Sequence, residues 1–272
     1  MPEPDISHFF RNTHHPPHTQ GAPRGVALIA HGFKGYKDYG FLPRLADALA
    51  AAGFTAHRFN FSGSGMTDDT ETFARPDRFE QDTWNRQVAD LHTLHAALRQ
   101  PGLPMLWFGH SRGGDTALLA AQRLPADQRP DAVVTAAAPA DCNRLSAADQ
   151  QRLLDDGFLV SPSGRTGQDL RIGRAWLQEQ LDDPAAHDPV AAAAELGSAG
   201  VDLTVIHGDA DPTVPVTDGQ RLAEAAGVPL HRIPDADHVF NAPNPMPPGT
   251  TPEPRTEELF NLCTQAAEGL MR

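Results

Sequence analysis

The 272-residue sequence predicts an α/β fold, with a mainly parallel central sheet, helices on both of its faces and a small insertion late in the sheet. Two observations carry this. From residue 26 onward, short apolar runs of strand length alternate with longer amphipathic segments of helix length. Each amphipathic segment is also long enough to carry the chain back to the start of a parallel neighbour, which a tight hairpin cannot do. No repeat and no linker interrupts the series, so residues 1–272 are expected to form one domain.

The elements follow in order. Residues 26–30 (VALIA) read as a buried strand that stops at His31-Gly32. Residues 41–51 read as a helix with Leu42, Leu45 and Leu49 on one face, ended by Gly53. A strand is expected over 55–61, then the turn-rich SGSGMTDD. Over 77–100 the apolar positions Trp84, Val88, Leu91, Leu94 or His95, and Leu98 recur at helical spacing. A strand over 105–109, a helix over 112–124 and a strand over 132–137 come next. The final third holds strands at 203–207 and 230–233, with a helix over 216–226 between them and a last helix over 257–270. Two regions fall outside this alternation. Residues 1–22, rich in His, Pro and Thr, are expected to form an edge hairpin or loop. Residues 141–190 are polar and helix-prone, with Leu170, Leu177 and Leu181 expected on one side of a helix. An insertion there, after a strand end, is where a lid over a crevice would sit.

Composition narrows the partners. The formal net charge is −13, from 35 acidic and 22 basic side chains, which argues against nucleic acid and anionic membranes. No apolar run approaches the length of a membrane span. The first residues, MPEPDISHFFRNTHHPPH, lack the basic start and apolar stretch of a secretory signal, so a cytoplasmic location is expected, although a processed secreted chain would look the same. The two cysteines, Cys142 and Cys263, match no metal motif. Oligomeric state is not legible.

The chemistry centres on Gly109-His110-Ser111-Arg112-Gly113, a G-x-S-x-G pattern lying between a strand and a helix as that motif requires. Such a turn holds the serine in a strained conformation with its hydroxyl at a helix N-terminus, where free N–H groups favour developing negative charge. A serine hydroxyl needs a base. Of 13 histidines, His238 stands out in the loop after a predicted strand, Asp235-Ala236-Asp237-His238. The orienting acid is expected at another strand end, in Ile206-His207-Gly208-Asp209-Ala210-Asp211-Pro212, where Asp209 and Asp211 both qualify by type. The order Ser, Asp, His suits such a site.

With these residues the chain resembles the α/β-hydrolases, and is similar to their esterase and lipase-like branch that includes feruloyl and cinnamoyl esterases and monoglyceride lipases. The resemblance spans about residues 24–270 and rests on His31-Gly32-Phe33, on the loop from Phe59 to Gly65, on the serine motif, on the run from His207 to Pro215 and on Asp237-His238-Val239-Phe240. It implies an α/β-hydrolase fold and ester hydrolysis through an acyl-enzyme, with Ser111 as nucleophile, His238 as base and Asp211 as acid. The backbone N–H groups of Phe33 and Arg112 would form the oxyanion hole. It implies a small-molecule ester substrate, no cofactor and no metal. Amide or thioester cleavage, or acyl transfer, would use the same residues, and a non-catalytic binding protein of the same fold is the reading from another class. His31 and His207 are expected to brace loops.

Arg112 departs from the apolar or amide side chain usual after the nucleophile. Its guanidinium could cross the crevice, pair with an acid on the lid, point to solvent or fix a nearby loop. Three further features take structural readings. The run Ser62-Gly63-Ser64-Gly65 lacks the remaining residues of a phosphate loop. His8, His14, His15 and His18 lack the spacing of a metal site. Met66, Phe73 and Trp176 are explained by an acyl pocket or by core packing.

Overall fold

A computed structural model describes residues 5–17, 19, 21–247 and 249–271. Seven strands form one mixed, mainly parallel sheet in the order β1-β3-β2-β4-β5-β8-β9. They are β1 (Asn12–His14), β2 (Gly25–Ala30), β3 (Phe54–Arg58), β4 (Met105–His110), β5 (Ala132–Ala136), β8 (Asp202–Gly208) and β9 (Leu230–Ile233). All pairs are parallel except β1 with β3. The expected α/β-hydrolase architecture is therefore present.

Strand alternation divides the core. Val26, Leu28, Met105, Trp107 and Val133 face one side, where α3 (Trp84–Leu98), α4 (Arg112–Arg123), α7 (Pro189–Ser198) and α8 (Val216–Ala226) lie. Ala27, Ile29, Leu106, Phe108 and Val134 face the other, under α1 (Leu42–Ala51) and α9 (Pro254–Gly269). Central strands buried on both faces explain why VALIA is apolar throughout.

Four expectations need correction. Of the edge hairpin or loop expected at the N-terminus, the edge position holds and the hairpin does not: β1 skips β2 and pairs antiparallel with β3. The strand expected over 55–61 ends at Arg58, whose neighbour is Ile29 near the end of β2. Beyond it the backbone bonds to loop groups, as when the Phe61 N–H donates to His31 Nε2 at 3.2 Å. The long helix expected over 77–100 is broken into α2 (Pro76–Glu80) and α3, because the Thr83 side chain caps α3 by accepting the Arg86 N–H.

The fourth concerns the insertion. Between β5 and β8 the chain forms α5 (Ala147–Asp156), an antiparallel pair β6 (Phe158–Pro162) and β7 (Asp169–Gly173), and α6 (Arg174–Asp182). Leu170, Leu177 and Leu181 do not share a helix face. Leu170 sits in β7, buried with Tyr36, Met66, Phe73 and Phe79; Leu177 is buried in α6; Leu181 is 47% exposed. Residues 169–173 have a period of two, with Leu170 inward and Asp169 and Arg171 outward, and cross-strand pairing realises that pattern. No described helix is long and apolar enough to cross a membrane.

Candidate active site

Ser111 follows the last residue of β4 and stands at the N-cap of α4, at φ 52° and ψ −128°. That backbone region is costly for a residue with a β-carbon, and the surrounding structure must over-determine it. Here the Ser111 N–H donates to the Ala136 carbonyl at 2.8 Å, tying the turn to β5. The flanking glycines allow the sharp reversal. A β-carbon on Gly109 would lie 2.2 Å from the Gly113 carbonyl oxygen, and one on Gly113 would lie 2.6 Å from that of His31.

His238 follows β9 in a turn, and its Nε2 lies 3.0 Å from Ser111 Oγ. Its Nδ1 lies 2.8 Å from Asp211 Oδ2. Asp209 does not reach this relay: its side chain accepts the Asp235 N–H at 2.7 Å and faces Arg232. Asp211 Oδ1 accepts the N–H groups of Thr213 and Val214 at 2.7 and 2.9 Å. Burial alone would raise the Asp211 carboxyl. Hydrogen bonds from His207, His238 and the Val214 amide outweigh it and hold the group well below the usual carboxylate range. A carboxylate kept ionised beside an imidazole fixes the ring's tautomer and favours its protonated form, the two tasks a serine–histidine pair needs.

Three further histidines brace the loops around these residues. His110 Nε2–H donates to the His238 carbonyl at 2.8 Å, and the two rings sit 5.0 Å apart. Burial, with His238 nearby, pushes His110 down to about 3, so it stays neutral. His207 Nε2–H donates to the Val214 carbonyl at 3.0 Å and lies 3.5 Å from Asp211 Oδ2. The bracing expected of His207 and His31 is present. His31 Nδ1–H donates to the Gly32 carbonyl at 2.9 Å. The contribution of His110 is not legible in the sequence. Its only signal there is its place beside the serine, which does not say where its ring points.

The Arg112 N–H is the first of α4, where no preceding turn supplies an acceptor. The Phe33 N–H has no partner among the described residues. Both residues line a cavity of about 260 Å³ that opens on Ser111. Its walls are mainly apolar, with Trp84 and Val214 from the body and Leu145, Ile172 and Trp176 from the 141–190 segment. Met66 and Phe73 are absent from this lining and pack in a small core instead.

The Arg112 side chain turns neither to an acid of the 141–190 insertion nor to solvent. It is buried between the rings of Trp84, 4.5 Å away, and Phe33, 5.7 Å away. Its Nη2 lies 3.4 Å from Asp82 Oδ2, and Asp82 belongs to the loop between α2 and α3. The other sequence features are occupied structurally. The Ser62 N–H donates to Asp90 and Ser62 Oγ accepts from Arg86. His14 bonds to Asp47 and Arg58; His18 lies outside the described residues. No group of three potential metal ligands occurs among the described residues.

Against known proteins, the sequence pattern of the serine aminopeptidase family S33 matches residues 21–160. The chain belongs to this family. As an S33 member of the α/β-hydrolase superfamily, it matches several solved structures along almost its whole length. Est1E from Butyrivibrio proteoclasticus superposes at TM-score 0.66 with 13% identity, covering 98% of this chain and 97% of that one. A monoacylglycerol lipase of Paleococcus ferrophilus gives 0.66 with 17% identity over 97% and 98%. Mouse alpha/beta hydrolase domain-containing protein 10 gives 0.67 with 16% identity over 96% and 94%. At these identities the likeness is one of fold. Curated protein sequences return no match. The S33 match includes Ser111 but stops short of Asp211 and His238, so the relay itself rests on the distances above.

Proposed function

We propose that this S33-family chain is a serine hydrolase that cleaves carboxylic esters through an acyl-enzyme. The observation that carries the reading is the unbroken contact from Ser111 Oγ through His238 to Asp211, at the mouth of an apolar cavity. His238 takes the Ser111 proton as Oγ attacks the ester carbonyl, donates it to the departing alcohol, and then activates the water that releases the acid. The amides of Phe33 and Arg112 receive the oxyanion of the tetrahedral intermediate; one such donor is typically worth about 3 kcal/mol. No step uses a metal or cofactor. Residues 1–272 act as one domain, with 141–190 as a lid supplying cavity wall. Two buried free thiols suit a reducing, cytoplasmic setting.

Peptide amides are the second reading, suggested by the family's description. Recognition of a peptide amino terminus calls for an anionic partner in the cavity. The one acid in its wall, Asp141, is engaged by Arg221 at 2.6 Å, while Arg112 and Arg144 face the same space. This charge pattern favours esters. The test is a panel of short 4-nitrophenyl esters run beside aminoacyl 4-nitroanilides and thioesters. Turnover of the esters with little of the anilides is expected; efficient anilide cleavage would replace this reading with the peptidase one.

A further inference from the structure

The Arg112 guanidinium has no role in the proposed chemistry, where only its backbone N–H serves, yet it stands in the wall of the reaction cavity. Its position is built by a chain of contacts. The Thr116 hydroxyl donates to Gln87 Oε1 at 2.9 Å, Gln87 Nε2 donates to Asp82 Oδ2 at 2.6 Å, and Asp82 faces Arg112. Trp84 supports one face of the guanidinium. Held this firmly, the group nevertheless donates no hydrogen bond among the described residues: Nε and Nη2 are buried without an acceptor, and Asp82 approaches at 3.4 Å as an ion pair only. A guanidinium carries five donors in a fixed fork, and leaving them unmade in a buried setting costs stability. Burial also pushes the Asp82 carboxyl up against the pull of Arg112, which weakens the counter-charge that faces the guanidinium.

The cavity's position decides which half of a substrate would meet this group. The base returns its proton to the leaving alcohol, so the alcohol lies on the His238 side. His238 takes no part in the cavity wall, whereas Ser111, Arg112 and Phe33 do. The cavity therefore takes the acyl half. A cavity of about 260 Å³ has room for a short acyl chain. Its apolar walls suit a short methylene chain, and Arg144 adds a second positive group, with its Nη2–H on the Thr213 carbonyl at 3.1 Å.

We propose that Arg112 is a specificity-determining residue that binds a carboxylate at the far end of the acyl group, so that the preferred substrates are half-esters of short dicarboxylic acids. This rests on the proposed ester hydrolysis at Ser111 for its substrate class, while the recognition itself is a binding property and can be measured apart from turnover. With Nε and Nη2 buried and Nη2 turned to Asp82, the carboxylate would meet the guanidinium at Nη1 in a charge-assisted hydrogen bond.

The test compares monomethyl glutarate with methyl valerate, which differ in the terminal carboxylate, in two measurements on the full chain. The first is calorimetric binding to Ser111→Ala, in which the cavity is intact and neither ester is consumed. The half-ester is expected to bind at least about tenfold tighter, the scale of one charge-assisted hydrogen bond. That ratio should collapse toward one when Arg112→Met is added, with circular dichroism checking that the double variant is folded. Equal binding of the two esters to Ser111→Ala overturns the proposal and needs no Arg112 variant. A preference for the half-ester that survives Arg112→Met in a folded chain overturns it as well. The second measurement is kcat/KM of the unaltered chain on both esters. Selective binding without turnover of either ester would sustain the Arg112 inference and contradict the hydrolase reading. Equal turnover of both would do the reverse.

Discussion

Ser111, Asp211 and His238 are scattered along the chain, and loops at three parallel strand ends bring them together, with contacts of 3.0 Å from serine to histidine and 2.8 Å from histidine to aspartate. Each is legible from residue type and neighbours. For Ser111 the signal is strongest, because a glycine two residues to either side, after an apolar run of strand length, is what a nucleophile turn requires. The choice between Asp209 and Asp211 is not legible from type alone. It is decided by direction: Asp211 turns inward to accept two backbone amides and the imidazole, while Asp209 bonds to Asp235 beyond the end of β9. Asp211→Asn is accordingly expected to lower kcat by several orders of magnitude, about 10⁴-fold for the same change in a Ser-His-Asp triad, with the chain still folded. Asp209→Asn should change kcat by less than about threefold; steady-state kinetics on the two variants, with melting curves, would show it, and reversed phenotypes would contradict the assignment. His110 offers a subtler case. It touches the His238 backbone rather than its ring nitrogens, so His110→Ala should lower kcat while leaving KM nearly unchanged, and His110→Asn, which keeps a donor, should restore part of the loss.

At the scale of elements, the strands and helices around the sheet are readable because a buried parallel strand is apolar throughout and its covering helices repeat near 3.6 residues. The insertion is less readable. Its three leucines fit a helical spacing, but β7 pairs with β6 and takes Leu170 out of the helix, a choice made by long-range contact. Helix α7 also escapes notice, since its run Ala191 to Ala194 has little contrast between faces, and only the Asp188 cap with Pro189 behind it marks its start. Beside Asp141, Cys142 and Arg144 at its start, the insertion lends the cavity the large apolar residues Leu145, Ile172 and Trp176. Removing the largest, by Trp176→Ala, is expected to move the preferred acyl chain toward greater length by opening the cavity wall. As the ring is also buried against the main core, the melting temperature should fall too, in line with about 3–5 kcal/mol for such a truncation. An unchanged chain-length profile in a folded variant would make the segment a surface feature rather than part of the substrate site.

For the whole molecule, buried carboxylates set how stability responds to pH. Asp90 in α3 is pushed up to about 7, mainly by burial, although it accepts the Ser62 N–H. In the unfolded chain an aspartate titrates near 3.9. Between about pH 4 and 7 the folded chain thus holds a proton that the unfolded chain has lost, so stability falls as pH rises, by up to about 1.4 kcal/mol per pH unit for one group. Asp115, wholly buried and with neither oxygen hydrogen-bonded among the described residues, is driven upward as well and acts in the same direction. Asp211, held low, has the opposite sign: its contribution is present at neutral pH and is lost as pH falls below the usual carboxylate range. Asp90→Asn, which keeps an acceptor for Ser62, should therefore flatten the decline of melting temperature from pH 5 to 8. An identical slope in the variant would remove Asp90 from this account. The claim on which everything functional depends is that one serine among all those in the chain is nucleophilic. Intact-mass measurement after exposure to a fluorophosphonate tests it most directly. The account predicts one adduct per molecule, located on Ser111 by peptide mapping and absent from Ser111→Ala; a chain that stays unlabelled, or a variant that labels as well as the parent, would contradict it.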